Sequence, residues 1–316
     1  MDHTLTGMDP RVRSHLDSYQ GVLSTKAALR LGLSHNDLRT MVARGALVSV
    51  ANGVYLEAAL LAEATPEEAH KLRVSALVLG KGGSVAASHH SAAVLHGLPV
   101  LREALSVLHV SHTRSRANTR RRSTFTLHRS PDPDAFGEVG SIAAVIPALA
   151  VLGTALLAGA RSGVMAADAA LHQGLTTRDE LTEWLMRLAH VPGVGRARHV
   201  VQVASSLAES PAESLLRLAL LSLRLPFVEQ HPIDLDGWTC RVDFYLPTLG
   251  VVVEMDGACK YEGSDGKLAL VSEKRREDQI RALGYGVARI EWADLFRPER
   301  IHAKIRAAAL TTRLAG

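Results

Sequence analysis

Three carboxylates, Asp243, Glu254 and Asp256, interrupt segments that otherwise have the composition of buried β-strand. Val251, Val252 and Val253 form an apolar β-branched run of the kind found in a strand covered on both faces. Side chains alternate along a strand, so Glu254 and Asp256 point to one face. Two carboxylates side by side at the end of a buried strand repel each other and resist desolvation. A divalent cation with oxygen ligands is the commonest way to offset that cost. The competing reading is that the strand end reaches solvent, where acids cost nothing. Spacing alone does not choose between the two.

The elements around these acids follow from the pattern. Ser210-Pro211-Ala212-Glu213 starts a helix, with Ser210 as N-cap and Glu213 at the capping-box position, and Leu216, Leu220 and Leu223 give it an apolar stripe. Strands are expected at about 227–233, 240–246 and 250–256. A glycine- and charge-rich loop, GACKYEGSDGK, leads to a helix over 273–283 closed by Gly284. Lys274, Asp278 and Arg281 share one face of it. A strand over 286–291 and an amphipathic helix over 298–310 complete an α-β-β-β-α-β-α order.

The chain has 316 residues, enough for two or three domains, and 47% hydrophobic with 22% charged residues is ample for packed cores. Aromatics are scarce at 4%, which predicts helix-rich, aliphatic packing. A formal charge of only +4 means that a basic surface has to be found locally. Cys240 and Cys259 supply neither a disulfide framework nor a thiolate zinc site unaided, which fits a reducing cytoplasm. The N-terminus lacks the apolar core of a signal peptide. Residues 142–160 carry no charge but contain Pro147 and run into Arg161 and Asp168, so they read as a buried helix pair rather than a membrane span. A soluble, cytoplasmic protein without membrane contact is the expectation.

Residues 21–56 read as helix, turn, helix, hairpin. A helix begins near Ser24 and is broken by Gly32. The next begins at Ser34 with Asp37 in capping-box position and ends at Gly45. Asn52-Gly53 then marks a hairpin. Two short helices and a hairpin describe a winged helix, whose second helix enters the major groove. Lys26, Arg30, Asn36, Arg39, Thr40 and Arg44 fall on its polar side and are candidate contacts to phosphates and base edges. A small helical subdomain or a protein-binding module has the same outline.

In the middle region, Thr65-Pro66-Glu67-Glu68 starts a helix to about Leu79, and Ser88 to His96 reads as a short helix closed by Gly97. Strands are expected at 105–109 and 124–128. They flank a stretch, 112–130, with six arginines and no acid, among them Arg120, Arg121 and Arg122. It is either a phosphate-contacting loop or a solvated charge run. His89 and His90 suggest a metal pair, but adjacent residues diverge on a helix, so they read as packing or capping residues. Two alanine-rich helices are expected over 147–174 and another from Thr177. The V-P-G-V-G run at 191–195 reads as a linker.

The run GVLSTKAALRLGLSHNDLRTMVARGALVSVANGVYL resembles the winged-helix domain of AbiEi-type antitoxins, repressors of type IV toxin–antitoxin systems. The similarity lies in the glycine ending each helix and in Gly53-Val54-Tyr55 of the wing. SHHSAAVLHGLP, 88–99, resembles the part that follows in those proteins. The third region resembles uncharacterised proteins grouped with very-short-patch-repair endonucleases and the PD-(D/E)XK nuclease plan. Glu213, Arg217, Gln230, Asp243-Phe244, Glu254-Met255-Asp256-Gly257, Asp278, Arg281, Gly284, Arg289 and Asp294 carry it. The expected fold is a multidomain α/β protein: a winged helix (1–62), an α+β middle domain (63–204) and a restriction-endonuclease-like core with a mixed sheet (205–316).

The resemblance implies DNA as partner and Mg²⁺ (or Mn²⁺) held by Asp243 and Glu254, with Glu213 orienting a water. The chain departs from the nuclease motif at Asp256, where a lysine is usual. Lys260 or Lys274 could supply that cation, Asp256 could be a third metal ligand, or cleavage could be lost. Lys274 and Arg281 are further DNA-contact candidates. A non-catalytic repressor or antitoxin-like regulator, with homodimerisation or a cognate toxin or defence partner, is the alternative. The two readings separate structurally: the three carboxylates should converge in an open basic-walled groove, whereas Glu254 paired with Arg289 or another cation in a closed core opposes catalysis.

Overall fold

The computed structural model describes residues 8–114, 118–130, 132–256 and 264–312, the side chains of 264–271 excepted. It is a mixed α/β chain with two compact units, Met1–Ala170 with Gly174–Gln202, and Leu171–Gln173 with Val203–Gly316. The expected boundary at 204/205 lies beside this division. That at 62/63 falls within the first unit, where Lys81 Nζ donates to Asn52 O (3.3 Å) and Gln20 Nε2 to Ser141 Oγ (3.0 Å).

The first unit opens with α1 (Pro10–Ser18), started by Asp9, whose side chain accepts from Arg11 N. After β1 (Val22–Ser24) come α2 (Thr25–Arg30), capped by Ser24, and α3 (His35–Ala43), closed by the Ser34–Asp37 capping box. β2 (Leu47–Ala51) and β3 (Val54–Glu57) form the hairpin, with Gly53 at φ +74° taking the turn. The sheet order is β1-β3-β2. Val12, Leu16, Leu23, Ala28, Leu38 and Leu47 form the core beneath. α1 and β1 were not anticipated, because Val12 and Leu16 alone give α1 its buried face.

α4 (Pro66–Gly80) starts from the Thr65–Glu68 capping box. β4 (Val85–Ala87), α5 (His89–Leu95), β5 (Leu108–His112), β6 (Arg120–Arg121), β7 (Phe125–His128), β8 (Phe136–Val139) and β9 (Ile142–Val145) follow. The strands form one mixed sheet, β6-β7-β5-β4-β9-β8, in which β4–β9 and β5–β7 are parallel. α6 (Pro147–His172) breaks at Gly159 (φ 86°, ψ 176°), giving the expected pair of alanine-rich helices. It is long and apolar enough to cross a membrane, but 67% of its most apolar window is buried in the fold. α7 (Arg178–Arg187) and α8 (Val194–Val203) end the unit. Two expectations are corrected. Ile142–Val145 is a strand, because an unbroken apolar run carries no periodicity to separate strand from helix. The V-P-G-V-G run is no linker, since Gly193 turns the chain (φ +84°) into α8.

The second unit contains α9 (Pro211–Ser222), β10 (Val228–Leu235), β11 (Trp238–Leu246), β12 (Val251–Met255), α10 (Ser264–Ala282), β13 (Gly286–Ile290) and α11 (Pro298–Ala309). The expected α-β-β-β-α-β-α order holds, although α10 begins well before residue 273. The sheet runs β10-β11-β12-β13, with antiparallel pairs up to β12 and β12–β13 parallel. Val251, Val252 and Val253 are fully buried, as the apolar run requires. Gly286 lets β13 meet α11 closely, since a Cβ there would lie 2.3 Å from Ala308 O. Backbone cannot swing aside as a side chain can. Gly286→Ala is therefore expected to cost about 1–3 kcal/mol in urea denaturation, the usual penalty of overpacking.

Candidate functional site

β11 and β12 place Phe244 opposite Val253. One step further along that register sets Asp243 opposite Glu254, cross-strand neighbours on one face. Glu254 is only 4% exposed. Asp243 Oδ2 accepts a hydrogen bond from Met255 N at 2.8 Å. Burial pushes the Asp243 carboxyl up to about 7, and the charges of Glu213 and Glu254 outweigh part of the opposing help from Met255 N–H.

Arg276 of α10 clamps Glu254 with two bonds, Nη1 to Oε1 at 2.8 Å and Nη2 to Oε2 at 3.1 Å. Arg289, beside Glu254 in the β12–β13 register, reaches Oε2 at 3.5 Å. Glu273 bonds both arginines, and Glu277 bonds Arg289 and Arg281. All of these charges but Arg281 line a groove of about 670 Å³ together with Arg241, Asp256, Lys274 and Asp278. Anionic floor and mixed-charge walls can hold a cation and face a polyanion.

The structure brings Asp243 and Glu254 together and leaves other expected partners apart. Asp256 is exposed beyond the end of β12, its N–H donating to Ile290 O. Among the described residues, one set of three or more His, Cys, Asp or Glu side chains gathers its ligand atoms within 4.8 Å, and it is His89, His109 and His128. The expected convergence of all three acids is thus corrected: β12 ends at Met255, and Asp256 stands exposed beyond it, outside any such cluster. Glu254 does pair with cations, Arg276 and Arg289, and is itself nearly fully buried, while all three border the open groove. Glu213 is buried and engaged by Ser210 Oγ (2.7 Å), Glu209 N (2.9 Å) and Gln230 Nε2 (3.0 Å). Lys274 lines the groove, whereas Arg281 is held by Glu277 and Val287 O. Lys260 lies outside the described residues.

In the first unit Lys26, Asn36, Arg39, Thr40 and Arg44 are all exposed on α2, α3 and the α3 cap. Arg120 and Arg121 lie on β6, the edge strand, and both are exposed with Arg122. The sequence reading missed Arg276, whose one local sign is its i,i+3 spacing from Glu273. It also missed the gathering of His109 and His128 around His89, which has no local signature, since the three come from one helix and two strands. His89 and His90 are not both in that set, although both rings pack against His109. No protein-family model matches the chain, and no curated protein matches it.

Proposed function

We propose that the second unit is a metal-dependent DNA endonuclease of the PD-(D/E)XK plan, and that α1–α3 with the β2–β3 hairpin form a winged helix that binds the DNA. The observation that carries this is Asp243 facing Glu254 across β11–β12 at the floor of an open groove. The donor set fits a hard cation. Both ligands are carboxylates, and burial, with the charges of Glu213 and Glu254 adding to it, raises the Asp243 pKa to about 7, a position a divalent ion relieves. Asp243 and Glu254 would hold Mg²⁺ (or Mn²⁺), which when bound neutralises charge on a scissile phosphate and acidifies water. Glu213, its oxygens committed to Ser210, Glu209 and Gln230, positions this floor through its charge. Lys274 and Arg241 face the groove and supply cations for phosphate contact in place of the motif lysine.

The test is cleavage of plasmid DNA with Mg²⁺ or Mn²⁺. Asp243→Asn and Glu254→Gln are expected to lose on the order of 10³-fold or more, the scale of removing a group that stabilises transition-state charge. Arg39→Ala and Arg44→Ala weaken DNA binding and lower its salt slope by about one each. A second reading, a non-catalytic DNA-binding repressor, is favoured by the Arg276 clamp on Glu254 and by Asp256 standing where lysine is usual. Salt-sensitive DNA binding without cleavage by the intact protein supports it against the first.

A further inference from the structure

Five histidines meet where α5 covers the six-stranded sheet. His89 opens α5 at φ +52°, a left-handed conformation that a residue with a side chain adopts at a cost of roughly 1–2 kcal/mol. Gly153 holds it from behind, because a Cβ there would lie 2.9 Å from His89 Cα. His109 and His128 come from the parallel strands β5 and β7, where His109 pairs with Thr126 and Ser111 with His128. Both rings therefore leave the same face of the sheet. His109 Nδ1 lies 2.8 Å from His128 Nε2, so one ring donates and the other accepts. The His89 ring stacks on His128 with centroids 3.9 Å apart.

We propose that His89, His109 and His128 form a binding site for a borderline transition-metal ion, Zn²⁺ foremost. Their ligand nitrogens all lie within 4.8 Å of one another. Nitrogens on one tetrahedral Zn²⁺, at about 2.0–2.1 Å from the metal, stand roughly 3.4 Å apart, a gap closed by small ring rotations. Three neutral imidazoles without a thiolate select Zn²⁺, Co²⁺ or Ni²⁺ over Mg²⁺ or Ca²⁺, which prefer oxygen.

The surroundings are built for neutral rings. Burial and neighbouring imidazoles push His109 down to about 2 and His128 to about 4, so both present lone pairs. His90 stands edge-on to His109 at 4.4 Å, its Nε2 3.1 Å from Val107 O, and its Nδ1 is buried with no hydrogen-bond partner. Ser91 Oγ accepts from His109 N and lies 2.8 Å from His70 Nε2, which fixes the strand beneath the site. Apolar side chains would fill this volume without the desolvation cost of so many ring nitrogens. His89 and His128 are half-buried, and three protein ligands would leave the fourth tetrahedral position to water or an anion.

The experiment titrates the chelator-stripped full chain with Co²⁺ as a spectroscopic probe, followed by Zn²⁺. The expected result is Co²⁺ uptake that gives intense visible bands of tetrahedral type, saturating at one equivalent per chain, displaced by Zn²⁺ and unchanged in Asp243→Asn, which removes the oxygen-ligand site of the second unit. His89→Gln and His128→Gln should each weaken binding by about 100-fold, at least the loss seen when outer-shell partners are removed. X-ray absorption of the Zn²⁺-loaded intact protein should show imidazole scattering, a readout independent of how the variants fold. No uptake above the buffer control, an oxygen-only shell, or folded variants that bind like the intact protein overturns the proposal. Plasmid cleavage plays no part in these readouts, so the result is separate from the fate of the nuclease reading.

Discussion

Arg276→Ala is expected to destabilise the second unit by about 3–5 kcal/mol in metal-free buffer, measured by urea denaturation. Breaking a buried ion pair from one side costs this much because the remaining charge is left without compensation. Glu254 would be that charge: its side chain is 5% exposed and lies beside Asp243. Arg289, at 3.5 Å and already bonded to Glu273 and Glu277, gives only partial relief. Adding Glu254→Gln to Arg276→Ala should recover much of the loss, since two partners of one ion pair are not additive. The same variant separates the two functional readings. If Asp243 and Glu254 bind a divalent cation, saturating Mg²⁺ or Mn²⁺ stabilises Arg276→Ala by about 2.7 kcal/mol at a hundred times Kd. It should stabilise the unaltered protein less, because there the guanidinium competes for Glu254. A loss within roughly 0.5 kcal/mol, the range of ordinary surface substitutions, would show that the clamp is not structural.

What the sequence conveyed divides along the range of the interactions. Ser34 with Asp37, Thr65 with Glu68 and Ser210 with Glu213 lie three residues apart, and each marks the helix start the structure shows. Val251 to Val253 announced a fully covered strand for the same local reason, that a β-branched apolar run packs on both faces. Ile142 to Val145 did not, since the uncharged run continues without a break into α6 and hides where strand ends and helix begins. At the site, Asp243 and Glu254 could be paired from strand order, but Arg276 could not. It reaches Glu254 across 22 residues of chain, from a helix whose rotation decides which of its charges faces the groove. The three histidines depend even more on tertiary geometry. His89 seemed excluded by its neighbour His90, yet its partners come from the sheet. Asp256 shows the opposite error: alternation put it beside Glu254 as a ligand, but β12 ends at Met255, and Asp256 lines the groove as an exposed residue outside a tight cluster.

The acidity of Asp243 has a consequence for stability that can be worked through with its sign. The folded-state value of about 7 lies above the ordinary 3.8. Below 3.8 the carboxyl is protonated in both states and burial costs little. Between 3.8 and 7 the unfolded chain gives up its proton while the folded chain keeps it, so stability falls as pH rises. Above 7 the full penalty, on the order of 4 kcal/mol at 1.36 kcal/mol per pKa unit, is in place. Asparagine keeps an oxygen for Met255 N–H and carries no charge. Asp243→Asn is therefore expected to match the unaltered protein near pH 4 and to exceed it by up to that amount at pH 8, in chelator. Because Glu213, Glu254 and Arg276 are present in both proteins, the difference isolates this one group. Saturating Mg²⁺ should shrink the gap at pH 8 by restoring the stability of the aspartate form. A group kept at a stability cost that a one-atom change removes is the pattern of a site selected for function rather than for folding. Equal stabilities across this pH range would instead mean that Asp243 is solvated and carries no such strain, and the proposed metal site would rest on the facing of Asp243 and Glu254 alone.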